Sequence, residues 1–135
     1  MILFLDTADF NTLHFAWIDP VTGKTREQRR PFNYAQSEKT AGYLEKFLQR
    51  SKNWHTELTR IVVVSGPGSF TGIRTGIALA LALSLALDVE VVALTKDQLP
   101  SKIADLVRIK KSQFKKVSAG FDPSYGAEPN ITIKK

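Results

Sequence analysis

One stretch of the sequence decides the fold. It reads IVVVS at 61–65, GPGSFTGIRTG at 66–76 and IALALALSLAL at 77–87. Four β-branched residues in a row predict a strand that is buried on both sides of its sheet. The glycines and the proline then end the strand, and Ser69 or Thr71 can cap the first free N–H groups of a following helix. The stretch therefore predicts a strand, a tight turn and a helix over residues 71–87.

The glycine-rich turn permits two interpretations. A helix N-terminus that follows such a turn can present backbone N–H groups to an anion. The turn lacks the Gly-Lys-Ser/Thr ending of a phosphate-binding loop, however, and Gly66-x-Gly68-x-x-Thr71 is not the dinucleotide-binding pattern. These absences favour a tight structural or interface turn over a phosphate-binding turn.

The helix over 71–87 is apolar on more than one side. At about 100° per residue, its large side chains fall on two sides, with Leu79, Leu83 and Leu87 on one and Ile77, Leu81 and Leu85 on the other. One side can pack on the sheet, and burying each large side chain of the other would contribute roughly 1.5–3 kcal/mol. Because the apolar run at 77–87 is shorter than the ~20 residues that span a bilayer, we expect no membrane association. The helix predicts a protein–protein surface, and a core helix covered on both sides is the alternative.

Composition is ordinary for a globular domain. The chain has 135 residues, 43% hydrophobic and 24% charged, which fits one modest domain. It has no cysteine, which excludes disulfides and thiolate metal sites and fits a reducing compartment. Its first residues are apolar and are followed at once by Asp6, with no basic segment before them. We therefore expect a first strand rather than a signal peptide, and a cytoplasmic protein.

Positive charge is concentrated near the C-terminus. Residues 96–135 carry nine Lys/Arg and four Asp/Glu, within a net charge of +6 for the chain. Such a segment can contact phosphates, because cations near a polyanion release its counterions. Lys110, Lys111, Lys115 and Lys116 show no aromatic stacking pattern between them, which favours a solvated surface. RNA contact is the alternative.

The order of the predicted elements indicates the fold class. Strands are expected at 2–6, 12–19, 24–32, 61–65 and 90–94, and helices at 37–50, at 71–87 and within 97–111. The first helix has its apolar stripe at Ala41, Leu44, Phe47 and Leu48, and the last one directs Ile103, Leu106 and Val107 inward. This order predicts an α/β fold with a mixed sheet of about five strands and helices packed on it, as in a single ribonuclease-H-like or actin-like lobe.

Several segments together resemble the TsaB (YeaZ) family. They are Leu5-Asp6-Thr7, the loop GPGSFTGIRTG, Ser37-Glu38, Thr95 and the residues YGAEPNIT at 125–132. The resemblance implies the actin-like (ASKHA) fold, whose family members have two lobes. Here it implies an N-terminal lobe at 1–111 and an irregular basic tail at 112–135, the remnant of a reduced second lobe.

This chain departs from the family at two places. Gln36 stands where the family usually has His, and Leu81-Ala82 stand where it usually has Lys-Gly. A nucleotide in an actin-like fold lies between the two lobes, so the reduced second lobe removes most of any ATP cleft.

The resemblance implies a function as a partner subunit. It points to a non-catalytic subunit of the complex that forms N6-threonylcarbamoyladenosine at position 37 of tRNA, bound to the catalytic TsaD-type subunit. A TsaE-type ATPase, a homodimer through the helix at 71–87 and tRNA bound through the complex are further expectations. No catalytic residue, cofactor or metal is expected. The expected interface residues are Ser69, Phe70, Thr71, Arg74, Ile77, Leu81 and Leu85, with Glu38 and Ala41 from the first helix.

Two other functions remain open at this point. One is a small ATP-binding or hydrolysing enzyme that uses Asp6 and the glycine loop, although Asp6 is better explained as a cap of the turn at residues 6–9. The other is an RNA-binding module that uses the basic C-terminal quarter. His14 and His55 are the only histidines, lack metal-ligand spacing and are expected to have a structural or surface role.

Overall fold

A six-stranded mixed sheet forms the centre of the molecule, in a computed structural model that describes residues 1–121. The strands are β1 (Ile2–Asp6), β2 (Thr12–Ile18), β3 (Thr25–Pro31), β4 (Arg60–Val64), β5 (Glu90–Leu94) and β6 (Lys115–Lys116). Their spatial order is β3-β2-β1-β4-β5-β6. The pairs β1–β2, β2–β3 and β5–β6 are antiparallel, whereas β1–β4 and β4–β5 are parallel. The predicted α/β class with a mixed sheet is confirmed, and β6 is an additional strand.

Within residues 1–121, three α-helices accompany the sheet: α1 (Thr40–Gln49), α2 (Trp54–Glu57) and α3 (Phe70–Leu87). The helix expected at 37–50 begins later, because residues 34–39 form a 3-10 helix and Ser37 lies inside it. Of the stripe expected on this helix, Leu44, Phe47 and Leu48 are buried. Ala41 is exposed. The helix α2 is a single turn that the sequence pattern did not predict.

The two sides of the sheet have different covers. On one side, Leu3, Leu5 and Phe15 belong to a core that α1 and α3 help to close. On the other side, Phe4, Val62 and Val92 pack under the chain that follows β5. Because successive side chains of a strand point to opposite sides, every central strand contributes to both cores.

The chain that packs on the second side of the sheet does not form the α-helix expected within 97–111. The chain there forms three short 3-10 helices, at Lys96–Gln98, Ile103–Arg108 and Lys111–Gln113. Side chains three residues apart are eclipsed in a 3-10 helix, so the inward direction of Ile103 and Leu106 is kept. Both residues are buried in the second core.

The chain after residue 111 adds one more sheet contact. Lys115 and Lys116 of β6 pair with Ala93 and Val92 of β5, so this part of the expected tail joins the sheet edge. Residues 122–135, including the resemblance at 125–132, lie outside the described residues. The division into a lobe at 1–111 and a tail at 112–135 stays a prediction.

The hairpin turn between β2 and β3 is stabilised by Asp19. Its Oδ1 accepts hydrogen bonds from the backbone N–H groups of Val21 (2.8 Å) and Thr22 (3.3 Å). These bonds lower the pKa of Asp19 below its ordinary value, because they favour the charged carboxylate. The turn chemistry expected after β2 is therefore present.

Candidate functional site

The start of α3 lies very close to the turn after β1. A Cβ added at Gly72 would lie 2.1 Å from the backbone oxygen of Thr7, and one at Gly76 would lie 2.3 Å from Thr7 Oγ1. A Cβ at Gly68, whose φ is +155°, would lie 2.1 Å from the backbone oxygen of Ala8. The glycines of the loop therefore permit a close approach between a helix and a turn that no larger residue would allow.

Hydrogen bonds fix this contact. Ser69 donates its backbone N–H to the oxygen of Ala8 (2.8 Å), and Thr7 donates its hydroxyl to the oxygen of Gly72 (2.6 Å). Ser69 Oγ caps the helix by accepting the N–H of Gly72 at 2.8 Å. These contacts support the interpretation of GPGSFTGIRTG as a structural turn that orients α3.

The sheet-facing side of α3 consists mostly of small residues. Its buried residues are Gly72, Ile73, Gly76 and Ala80. The predicted division into two leucine-bearing sides therefore needs a correction, because neither of those sides is the one packed most closely on the sheet. Ile77, Leu79, Leu81, Leu83 and Leu87 are all only partly buried at the border of the first core.

The opposite side of α3 is exposed along the whole helix. We call it the outward side, and it consists of Thr71, Arg74, Ala78, Ala82, Leu85 and Ala86. Leu85 is 90% exposed and Phe70, at the start of the helix, is 53% exposed. Arg74 is the only charged residue among the eighteen of the helix, and its guanidinium lies 5.1 Å from the Phe70 ring centre. A surface helix normally carries a charged outer side, so this composition is atypical of a helix that faces solvent.

Two arginines of β3 hold α1 against that strand. Arg26 donates hydrogen bonds to the backbone oxygen of Phe47 (2.9 Å) and to Ser51 Oγ (2.8 Å), and it lies 4.3 Å from the Phe47 ring centre. Burial, with the nearby charge of Arg50, lowers the pKa of Arg26 from its ordinary value. Arg30 lies 4.1 Å from the ring centre of Tyr43. These contacts fix α1 against β3.

An apolar groove of about 430 Å³ separates α1 from α3. It is lined by Ala41, Gly42, Leu44, Glu45 and Leu48 of α1, by Trp54, and by Leu79, Ala82 and Leu83 of α3. Glu45 is the only charged residue among them. The groove and the outward side share Ala82, so together they form one continuous surface, which we call the helix-pair surface.

The structure brings most of the expected interface residues to this region. Thr71, Arg74 and Leu85 lie on the outward side and Ala41 lines the groove, whereas Ile77 and Leu81 are half-buried on the flank of α3 away from the groove. Glu38 is exposed on the 3-10 helix at Tyr34–Lys39, which contacts both α1 and α3. Ser69 differs from the expectation, because it is 2% exposed and its side chain caps the helix inside the chain.

Sequence reasoning missed the groove residues of α3. The expected interface residues include Ile77, Leu81 and Leu85 but neither Leu79 nor Leu83, and the latter two line the groove together with Ala82. The missed signal is the small size of Gly72, Gly76 and Ala80, which marks the sheet-facing side. Once that side is fixed, the 100° step per residue places Leu79 and Leu83 toward a neighbouring helix.

The length of α3 bears on membrane association. The helix has 18 residues with a mean hydropathy of 1.7, so by length and composition alone it could cross a membrane, with 28% of it buried in the described structure. The expectation of no membrane association used a run of only eleven residues, and this length was an underestimate. The tight attachment of the helix start to Thr7 and Ala8 agrees with a globular domain, and the absence of membrane association stays a prediction.

Asp6 borders a polar cavity of about 310 Å³ on the other side of the sheet. Its Oδ1 accepts the N–H of Ala8 (3.0 Å), as expected for a residue that caps the turn. The charges around the cavity have both signs, since Asp9 lies 3.6 Å from Lys96 Nζ and His14 Nε2 lies 2.8 Å from Glu27 Oε1. Within residues 1–121, no group of three or more His, Asp or Glu side chains could hold a metal ion.

We expect the purified chain to bind ATP weakly or not at all. The mixed charges would oppose a triphosphate as much as attract it, and the hydrogen bonds of Ser69 and Gly72 already use donors at the helix start. Isothermal titration calorimetry with MgATP checks this expectation. Micromolar affinity that is lost in Asp6→Ala would contradict it and favour the ATP-binding alternative.

Comparison with known proteins supports the expected relationship. Residues 34–99 match the family model described as TsaD: tRNA N6-adenosine threonylcarbamoyltransferase. This segment contains α1, β4, α3 and β5. No curated protein matches the sequence.

Two solved structures share the fold. YeaZ from Pseudomonas aeruginosa is similar with a TM-score of 0.65 and 16% identity, over 87% of this chain and 64% of that chain. A protein described as uncharacterized, with similarity to peptidase YEAZ from Pseudomonas aeruginosa, has the same TM-score and identity, over 87% of this chain and 63% of that chain. The chain thus spans less than two thirds of the length of either protein. The fold is that of YeaZ, and the predicted resemblance to the TsaB (YeaZ) family is confirmed.

Proposed function

We propose that the chain is a non-catalytic partner subunit in the formation of N6-threonylcarbamoyladenosine on tRNA, and that it binds a TsaD-type catalytic subunit through the helix-pair surface. The exposed outward side of α3 carries the proposal. Leu85 on this side is almost fully exposed, and Arg74 is the single charged residue among the eighteen of the helix. The YeaZ-like fold and the matched TsaD family model support a role in tRNA modification.

The geometry of the surface suits another pair of helices. Alanines at 78, 82 and 86 lie among the exposed residues of α3. Small residues allow helix axes to approach to the ~8–10 Å that is typical of helix packing. The groove offers space for large side chains from the partner, because it holds about 430 Å³ and is lined mainly by apolar groups. Burial of Leu85 alone would contribute roughly 1.5–3 kcal/mol to association.

A non-catalytic role agrees with how the chain uses its polar groups. Asp6 caps its own turn, His14 pairs with Glu27, and Ser69 caps α3. Each of these three groups therefore has a structural task in the described fold. Catalysis in the proposed assembly is assigned to the TsaD-type subunit, and tRNA would bind the assembly better than this chain alone.

The same surface could join two copies of the chain. An isologous dimer would place the outward side of one copy against that of the other. We propose this homodimer as a competing state that the TsaD-type subunit displaces. A TsaE-type ATPase as a further member of the assembly and a cytoplasmic location remain parts of the same proposal.

Co-purification tests the proposed function. The untagged chain is co-expressed with an affinity-tagged TsaD-type subunit from the same organism, and we expect the two proteins to elute together through washes with high salt. Apolar burial is not screened by salt, so the complex should persist in 1 M sodium chloride. Elution of the tagged subunit alone at every salt concentration would contradict the proposal.

A further inference from the structure

A small basic cavity lies at the edge of the sheet, away from the helix-pair surface. It has a volume of about 250 Å³ and is lined by Arg60, Glu90, Val92, Lys111, Phe114 and Lys116. We call this cavity, with its six lining residues, the basic cavity. Arg60 and Glu90 stand at the starts of the adjacent strands β4 and β5, while the lysines come from the chain around β6. The cavity therefore combines two parts of the chain that are distant in sequence.

The charge of the basic cavity comes from its lysines. Arg60 Nε lies 2.8 Å from Glu90 Oε2, so these two charges largely offset each other. Lys111 and Lys116 are exposed. No acidic residue occurs between 106 and 121, a segment that also carries Lys110 and Lys115, while its Arg108 lies 3.9 Å from Asp105. A net positive field therefore surrounds the opening of the cavity.

In the sequence, the aromatic residue Phe114 lies between the pairs Lys110-Lys111 and Lys115-Lys116. Phe114 is half-buried in the cavity wall, and the Arg60 guanidinium lies 5.6 Å from its ring centre. The sequence interpretation found no aromatic stacking pattern among these lysines, but the structure places this ring beside Lys111 and Lys116. Aromatic rings next to cations are typical of surfaces that bind unpaired bases.

The sheet separates Lys115 from Lys116. Lys116 pairs with Val92, which belongs to the second core, and Lys115 pairs with Ala93, which belongs to the first core. Because neighbouring strand residues point to opposite sides, Lys115 and Lys116 point away from each other. Only Lys111 and Lys116 line the cavity.

We propose that the basic cavity binds backbone phosphates of single-stranded RNA, with Phe114 in contact with an adjacent unpaired base. Its volume of about 250 Å³ is smaller than typical small-molecule sites of ~300–1,000 Å³, so it suits a phosphate group rather than a whole nucleotide. The positive charge of the surrounding segment favours a polyanion over free phosphate through its long-range potential, whereas the direct phosphate contacts are assigned to Lys111 and Lys116. The inference concerns the isolated chain and does not rest on the proposed function.

Fluorescence anisotropy with a labelled single-stranded RNA of about 12 nucleotides tests this site at low salt. We expect Lys111→Ala/Lys116→Ala to weaken binding about tenfold, because two charge-assisted contacts to phosphate are lost. The slope of log affinity against log salt should fall by about 1.4, which is ~0.7 for each contact on a single strand. Circular dichroism should show an unchanged fold, since both side chains are exposed.

Lys110→Ala/Lys115→Ala is the matched control, because it removes the same charge from positions outside the cavity wall. We expect it to weaken RNA binding less than threefold. Equal losses in the two double variants would overturn the proposal in favour of diffuse attraction, and so would the absence of a loss in both. Displacement of RNA by millimolar inorganic phosphate or by poly-glutamate as effectively as by unlabelled RNA would overturn it as well.

Discussion

Gly72→Ala is expected to destabilise the chain by about 2–4 kcal/mol. The added Cβ would lie 2.1 Å from the backbone oxygen of Thr7, which cannot move away as a flexible side chain can. Relief of this overlap requires α3 to shift from the turn after β1, which would weaken the hydrogen bond between Thr7 Oγ1 and the oxygen of Gly72. Urea denaturation followed by circular dichroism measures the loss as a lower midpoint.

Gly42→Ala provides the control for this prediction. Gly42 is the third residue of α1, as Gly72 is of α3, but a Cβ at Gly42 would meet nothing within 4 Å. Alanine is favoured over glycine in a helix by roughly 0.5–1 kcal/mol, so this variant should be as stable as the original chain or more stable. If both variants lost stability equally, helix α3 would not depend on the close contact with Thr7.

Leu85→Lys is expected to weaken binding of the TsaD-type subunit about a hundredfold while the chain stays folded. Leu85 is 90% exposed in the chain alone, so lysine costs nothing in the unbound state. In the complex, the ammonium group would have to lose its water against apolar side chains. Biolayer interferometry with the immobilised TsaD-type subunit gives the affinity, and thermal denaturation gives the stability.

Val21→Lys is the matched control for Leu85→Lys. Val21 is 91% exposed in the turn between β2 and β3, so the change in charge and exposure is nearly the same at a position outside the helix-pair surface. We expect this variant to bind the subunit with unchanged affinity. A similar loss of affinity in both variants would show that net charge, rather than the helix-pair surface, governs association.

Much of the fold could be predicted because its strands are strongly patterned. The run Ile61–Val64 is uniformly β-branched, and the hairpin between β2 and β3 is marked by the turn residues that begin at Asp19. The glycine-rich loop marked the start of α3 to within one residue. In each case the signal is local in sequence, so no knowledge of distant neighbours was needed.

Elements that depend on distant neighbours were not predicted. β6 has two residues and exists through its pairing with Val92 and Ala93, so no periodicity could reveal it. The 3-10 helices after β5 share with an α-helix the three-residue spacing of Ile103 and Leu106, and spacing alone did not distinguish the two.

The candidate site was predicted in outline but not in orientation. Hydrophobicity identifies large side chains, whereas the sheet-facing side of α3 is formed mostly by Gly72, Gly76 and Ala80. These small residues let the helix lie close to the sheet and leave Leu85 exposed and Leu79 only half-buried. Periodicity gives the angle between residues, but only the close contact with Thr7 fixes which side faces the sheet.

The solution mass of the mixture of this chain with the TsaD-type subunit tests the central claim most directly. Size-exclusion chromatography with light scattering should give one species whose mass is that of the TsaD-type subunit plus one copy of this 15.1 kDa chain. The same mixture prepared with Leu85→Lys should give two separate species. A mixture in which the original chain and the subunit elute separately, each at its own mass, would contradict the account.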